Sequence, residues 1–133
     1  WGYGYGYVHC GFRLAETFLI QAEALAMQDR IEEARIILDR FKSARYKSTY
    51  TIPTEKEALL QDIYRERRKE FVAEGDYGWL DMKRLGLKAE RTIGGITFKL
   101  EGEGDYRYAF PIPQSEIDNN KEIRQNPGWI LNN

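Results

Sequence analysis

Acidic, basic and aromatic residues carry the chemical potential of this chain, and their spacing decides which reactions are worth considering. Glu66, Glu70 and Glu74 recur every four residues, which puts them on one face of a helix. Paired carboxylates at a set separation are the machinery of glycoside hydrolysis, where one of the pair must keep its proton near neutral pH. Here Arg67, Arg68 and Lys69 stand among the three glutamates. Neighbouring cations favour the ionised carboxylate and lower its pKa. The pattern therefore reads as a charged helix laced by pairs three and four residues apart, and no catalytic residue is assigned.

Other reactive types are sparse. His9 and Cys10 are the single histidine and the single cysteine. Their spacing matches no zinc or haem site, and adjacent side chains in an extended segment point to opposite faces, which rules against a nucleophile–base pair. Glu101, Glu103 and Asp105 offer oxygens but lack the ligand number and order of an EF-hand, so they read as a solvated connection. Gly2, Gly4 and Gly6 do not lie between a strand and a helix of a βαβ unit, so they form no phosphate cradle. Neither a metal nor a cofactor is expected.

The ligand-like feature is aromatic. Trp1, Tyr3, Tyr5 and Tyr7 alternate with glycines, and a period of two places all four rings on one face of an extended chain. Ring faces stack on the flat apolar faces of sugars, which makes Trp1, Tyr3 and Tyr5 the local candidates for sugar contact. The same rings would equally serve to pack on the body of a larger protein. The interleaved glycines argue against a regular strand.

Apolar periodicity outlines the elements that must hold these groups. Phe12, Ala15, Leu19, Ala22 and Ala26 predict a helix over about 12–27. Gln28-Asp29-Arg30 reads as a tight turn, and Asp29 with Glu32 forms an acidic variant of the capping box. A second helix, with Ile31, Ala34, Leu38 and Phe41 on one face, is predicted to end near Ser43. Small residues at Ala22, Ala24, Ala26 and Ala34 allow close backbone approach. The pair is a helical hairpin of the tetratricopeptide kind, present as one unit and not as an array. After a polar loop over 44–53, Thr54 and Glu57 form a second capping box for a long helix from Glu55 to Glu74. Leu59, Leu60, Ile63 and Phe71 mark its buried face, and Gly75 stops it. A shorter helix is predicted from Trp79 to Leu85, closed by Gly86.

The texture then changes. Thr92-Ile93, Gly94-Gly95 and Ile96 to Leu100 predict a β-hairpin. Tyr106 to Phe110 reads as a short strand, Pro111 and Pro113 as an extended segment, and Ser115 to Asn119 as one helical turn. Asn126-Pro127-Gly128-Trp129 has the residues of a type II turn. The predicted fold class is mainly α: a tetratricopeptide-like helical hairpin plus a long third helix, a small β-hairpin, and an irregular Pro/Gly-rich C-terminal tail.

At 133 residues the chain fits one domain, and 42% hydrophobic residues suffice for a core. Twenty Lys and Arg against 21 Asp and Glu leave a net charge of −1, so electrostatic nucleic-acid binding is not expected. Apolar stretches fall well short of the ~20 residues that span a bilayer. The chain opens at Trp1 and shows no basic segment before an apolar core, so it reads as a processed or truncated piece.

Several blocks, in order, resemble the SusD/RagB family, surface glycan-binding lipoproteins of polysaccharide-degrading Gram-negative bacteria. They are Arg13-Leu14-Ala15-Glu16 with Gln21-Ala22-Glu23-Ala24; Ile63-Tyr64-Arg65-Glu66-Arg67-Arg68-Lys69-Glu70-Phe71 with Glu74-Gly75; Asp81-Met82-Lys83-Arg84-Leu85-Gly86; Phe110-Pro111-Ile112-Pro113-Gln114-Ser115-Glu116-Ile117; and Gln125-Asn126-Pro127-Gly128-Trp129. The stretch Asp76-Tyr77-Gly78-Trp79 is one residue longer than the family pattern. The resemblance implies a C-terminal helical domain over 11–133, preceded by an aromatic, glycine-rich segment over 1–10, within a longer protein. It implies a non-enzymatic lipoprotein of the outer membrane, exposed at the cell surface. Such a protein would bind oligosaccharide or polysaccharide and deliver it to a TonB-dependent, SusC-like transporter. Membrane contact would come only through a lipid anchor outside this sequence.

The shared motif residues read as structural: Arg65, Glu66, Arg67, Arg68, Glu70, Glu74 and Gly75 on the long helix, Asp81 and Arg84 beyond it, and Pro111, Pro113, Asn126, Pro127 and Gly128 in the tail. The arginines would tie helices together through Glu16, Glu23 or Asp81 by charge-assisted bonds. The rival readings are a helical protein-interaction scaffold without sugar binding, and a glycosidase.

Overall fold

The computed structural model describes residues 13–129. The aromatic run with Trp1, Tyr3 and Tyr5, together with His9 and Cys10, lies outside the described residues. The chain divides into two compact units, Trp1–Glu74 and Gly75–Asn133.

The first unit holds α1 (Leu14–Met27), α2 (Ile31–Ser43) and α3 (Lys56–Glu70). α1 packs on both α2 and α3. Its buried stripe is Ala15, Leu19, Ala22, Leu25 and Ala26; α2 contributes Ala34, Leu38 and Phe41; α3 contributes Leu59 and Ile63, with Phe71 just beyond it. Leu19, Leu38, Leu59 and Ile63 are the largest fully buried side chains. Burying each such side chain stabilises the fold by about 1.5–3 kcal/mol. Ala22, Ala26 and Ala34 are wholly buried, as the predicted close approach of a helical hairpin requires; Ala24, expected to share that role, faces solvent instead and is exposed.

Neither capping box forms. Arg30 occupies the N-cap of α2 and Glu55 that of α3, each without a side-chain capping bond. Asp29 has a φ of 61°, because it reverses the chain between α1 and α2. A residue in that conformation cannot also supply the extended backbone of an N-cap. Its carboxylate accepts instead from Lys56 Nζ at 2.8 Å, joining the turn to α3. Thr54 stands one residue outside the cap position taken by Glu55. α3 also ends four residues early. Ala73 takes a φ of 59° and Gly75 one of 50°, and the Glu74 N–H bonds the Phe71 carbonyl at 3.1 Å, so residues 71–74 turn instead of extending the helix.

The second unit holds α4 (Tyr77–Arg84), strands β1 (Ala89–Ile93) and β2 (Ile96–Leu100), a 3-10 turn (Tyr106–Tyr108) and α5 (Gln114–Asn119). The strands pair antiparallel, with Ala89 opposite Leu100 and Ile93 opposite Ile96. Gly94 and Gly95 both have positive φ, 58° and 80°, as the two-residue turn of a right-twisted hairpin demands. β1 is longer than the Thr92-Ile93 pair predicted. The strand predicted over 106–110 is not formed. The Asp105 carboxylate accepts the Arg107 N–H at 3.0 Å, and that local bond turns the chain into a 3-10 helix. In the tail, the Trp129 N–H bonds the Asn126 carbonyl at 3.2 Å and Gly128 has a φ of 88°, the type II turn expected of Pro-Gly. The described residues are thus mainly α-helical with one small two-stranded sheet.

Candidate functional site

Two clusters collect the residues that the sequence singles out. The first lies on α3. Its stripe of Leu59, Ile63 and Phe71 is interrupted by charge: Asp62, Glu66 and Arg67 are buried, as is Lys42 of α2. Burying a charge demands a partner. Lys42 Nζ stands 2.5 Å from Asp62 Oδ2 and 4.0 Å from Glu66 Oε1. The Tyr46 hydroxyl donates to Glu66 at 2.9 Å, and Lys69 Nζ donates to Glu66 Oε1 at 2.9 Å and to the Tyr46 hydroxyl at 2.7 Å. Every oxygen at this site is turned towards a donor of the protein itself.

Glu70 and Glu74 are held in the same way. Glu70 Oε1 accepts from Arg13 Nη2 at 2.6 Å and from Arg45 Nη2 at 3.0 Å, while its Oε2 accepts from Arg45 Nε at 3.1 Å. Arg13 also bonds Glu74. The hydrogen bonds from Arg45, more than those from Arg13, hold the Glu70 carboxyl below the usual carboxylate range. A general acid needs the opposite shift. Arg67 lies 3.9 Å from Glu16, one of the pairings expected between helices, and its guanidinium lies 5.4 Å from the centroid of Phe71. Arg65 pairs with Asp62 of its own helix at 3.5 Å, and Arg68 is exposed. Asp81 accepts from Arg84 Nε within α4 at 2.8 Å. Glu66, Arg67, Glu70 and Glu74 thus meet groups from other segments of the first unit, whereas Arg65 and Arg84 pair with carboxylates of their own helices.

The second cluster is aromatic and lies in the second unit. Phe110 stacks on Trp79 with centroids 5.8 Å apart and planes 26° apart, and Trp79 leans on Tyr108 at 5.2 Å. Tyr106 meets Trp129 edge-on at 5.2 Å. The tail fixes this arrangement. The Gln125 side chain bonds both backbone groups of Ile112, at 2.8 and 2.9 Å, clamping the segment between Pro111 and Pro113. Asn126 Nδ2 donates to the Phe110 carbonyl at 2.7 Å, and Trp129 Nε1 donates to the Ala109 carbonyl at 2.8 Å. The Tyr108 hydroxyl donates to the Leu87 carbonyl. Phe110 is 73% exposed and Tyr106 44%, so the cluster presents open ring surface suited to stacking.

Sequence reasoning missed Lys42 and Asp62 as partners, and Phe110 and Tyr106 as exposed rings. A signal exists for the first pair. Lys42 follows Phe41 on the apolar stripe of α2 and Asp62 precedes Ile63 on that of α3, so opposite charges interrupt two stripes that meet. Alternation of Tyr106, Tyr108 and Phe110 was the signal for the rings.

Asp105 is no cation ligand. Arg107 Nη2 and Nε reach its two oxygens at 2.6 and 2.8 Å, and the Glu101 N–H donates at 2.7 Å. These bonds, Arg107 first, hold its carboxyl far below the ordinary range. Among the described residues no group of three or more His, Cys, Asp or Glu gathers where it could hold a metal ion, and no helix is long and apolar enough to cross a membrane.

Comparison with known proteins completes the picture. The sequence model of the SusD family matches residues 2–129. The SusD-like protein P38 of Formosa agariphila is 32% identical over 123 residues, a match that covers 86% of this chain and 23% of that protein. The chain therefore spans about a quarter of the length of this curated relative. With the family match running through the helical unit, the hairpin and the clamped tail alike, this chain belongs to the SusD family.

Proposed function

We propose that this chain is the C-terminal part of a non-enzymatic, surface-exposed lipoprotein of the outer membrane that binds oligosaccharide or polysaccharide and passes it to a TonB-dependent, SusC-like transporter. Family membership over residues 2–129 carries this reading. Two features of the site support it. The carboxylates that a glycosidase would need are neutralised by arginine and lysine, and Glu70 is driven away from the protonated form. Rings suited to sugar stacking are open at Phe110 and Tyr106; Trp1, Tyr3 and Tyr5 are separate candidates by residue type alone. In this reading the binding step is ring stacking plus hydrogen bonds to hydroxyls, while the charged residues of α3 and Pro111, Pro113, Asn126, Pro127 and Gly128 of the tail hold the scaffold.

The test is a glycan array followed by calorimetry on the protein, with a reducing-sugar assay run in parallel. Saturable binding of a glycan without release of reducing ends is the expected result. Reducing ends appearing with time would replace the reading with a glycosidase. A stable complex with a protein partner and no response to any glycan would replace it with an interaction scaffold.

A further inference from the structure

The two-stranded ribbon is amphipathic, and one of its faces is bare. Its register puts Glu90 opposite Lys99 and Thr92 opposite Thr97. Those pairs complete one another: Lys99 Nζ lies 2.9 Å from Glu90 Oε2, and the two threonine hydroxyls share a 3.0 Å hydrogen bond. The alternate residues, Ala89 with Leu100, Arg91 with Phe98 and Ile93 with Ile96, share the other face. That face is apolar apart from Arg91, yet Ile93 is 54% exposed, Ile96 63% and Phe98 56%. An isolated two-stranded ribbon is at best marginally stable in water. Alternation with one apolar face is the pattern of a sheet covered on one side.

Arg91 defines the cover. It is exposed and, among the described residues, makes no hydrogen bond, ion pair or ring contact. A cation within an apolar face needs a counter-charge once water is excluded. Two copies of the ribbon packed face to face would gather two Arg91 cations in one desolvated layer, which disfavours self-association. The complementary surface is apolar and carries a carboxylate. The matched relative extends far beyond the region of this chain, which covers 23% of it. A surface on the same polypeptide would meet the ribbon in an intramolecular step, without the cost of bringing two molecules together. We infer that the Arg91–Phe98 face of the ribbon docks on an apolar, carboxylate-bearing surface of the same SusD-like polypeptide, contributed from outside these 133 residues. This inference rests on family membership and not on the ligand being a sugar.

The experiment uses the polypeptide as its own cells make it, with p-benzoylphenylalanine replacing Phe98 in one version and Thr97, on the opposite face, in another. After irradiation, gel mobility separates links within one chain from links between chains, and peptide mass spectrometry locates them. The expected result is a link from position 98, absent from position 97, to a peptide of the same chain outside these residues and close to an Asp or Glu. Arg91→Glu should lower the melting temperature of that polypeptide by several degrees, and reversing the linked carboxylate to Arg should restore it. A link to a transporter, to a second copy or to residues 13–74 would overturn the inference, as would equal labelling from the two positions or no link. Glycan binding is measured on the same samples, so failure of the docking and failure of the sugar reading are separate outcomes.

Discussion

Lys42 of α2 and Asp62 of α3 form an ion pair 2.5 Å long, with side chains only 5% and 8% exposed. The pair sits where two apolar stripes converge, so it is shielded from salt and from competing water. Removing one partner of a buried pair strands the other charge, at a cost of about 3–5 kcal/mol. Lys42→Met should therefore lower unfolding free energy by on the order of 3 kcal/mol, read from urea denaturation. The double change Lys42→Met with Asp62→Leu should recover most of that loss, because no buried charge is left unpaired.

Acid should weaken the first unit through Glu70. Its folded pKa is depressed by Arg45 and then Arg13, whereas a glutamate in the unfolded chain titrates near about 4.3. A depressed carboxylate contributes stability that is present above the unfolded pKa and is lost as pH falls through the folded pKa. The urea midpoint should fall steadily as pH drops below about 4.3. In Glu70→Gln that decline should be shallower, from a lower starting value at pH 7. Equal slopes for the two proteins would remove Glu70 from the account.

The tail turn offers a steric test. Gly128 has a φ of 88°, and a Cβ there would run into the ring of Tyr106. Gly128→Ala should cost about 1–3 kcal/mol and disturb the edge-on contact between Tyr106 and Trp129. The near-ultraviolet circular dichroism of these rings should change with it, while the helical signal stays.

Ala73 offers the opposite sign. Its φ of 59° is left-handed, a conformation that costs a residue with a Cβ about 1–2 kcal/mol. Glycine adopts it freely but loses more entropy on folding, by roughly 0.5–1 kcal/mol. Ala73→Gly should raise stability by up to about 1 kcal/mol. A loss of stability by thermal denaturation would show that the alanine methyl packs usefully in this turn.

The sequence by itself determined the features that depend on near neighbours. Apolar spacing outlined α1, α2 and α3, Gly94-Gly95 marked the hairpin turn, Pro127-Gly128 marked the type II turn, and the ordered motif blocks identified the family. Each signal rests on residues a few positions apart, where helix and strand periods or required φ angles leave little choice. Tertiary structure decided which charges meet: Lys42 with Asp62 across 20 positions, and Arg13 with Glu70 across 57. It also overrode two local signals. Asp29 and Thr54 had the chemistry of N-caps, but reversing the chain and reaching Lys56 took Asp29 away, and Glu55 took the cap of α3. The strand read over 106–110 was lost to a local bond instead, with Asp105 accepting the Arg107 N–H two residues on. The long-range pairing of Lys42 with Asp62 and of Arg13 with Glu70 follows from which helix faces are brought together, and the close packing of Leu19, Leu38, Leu59 and Ile63 sets that geometry.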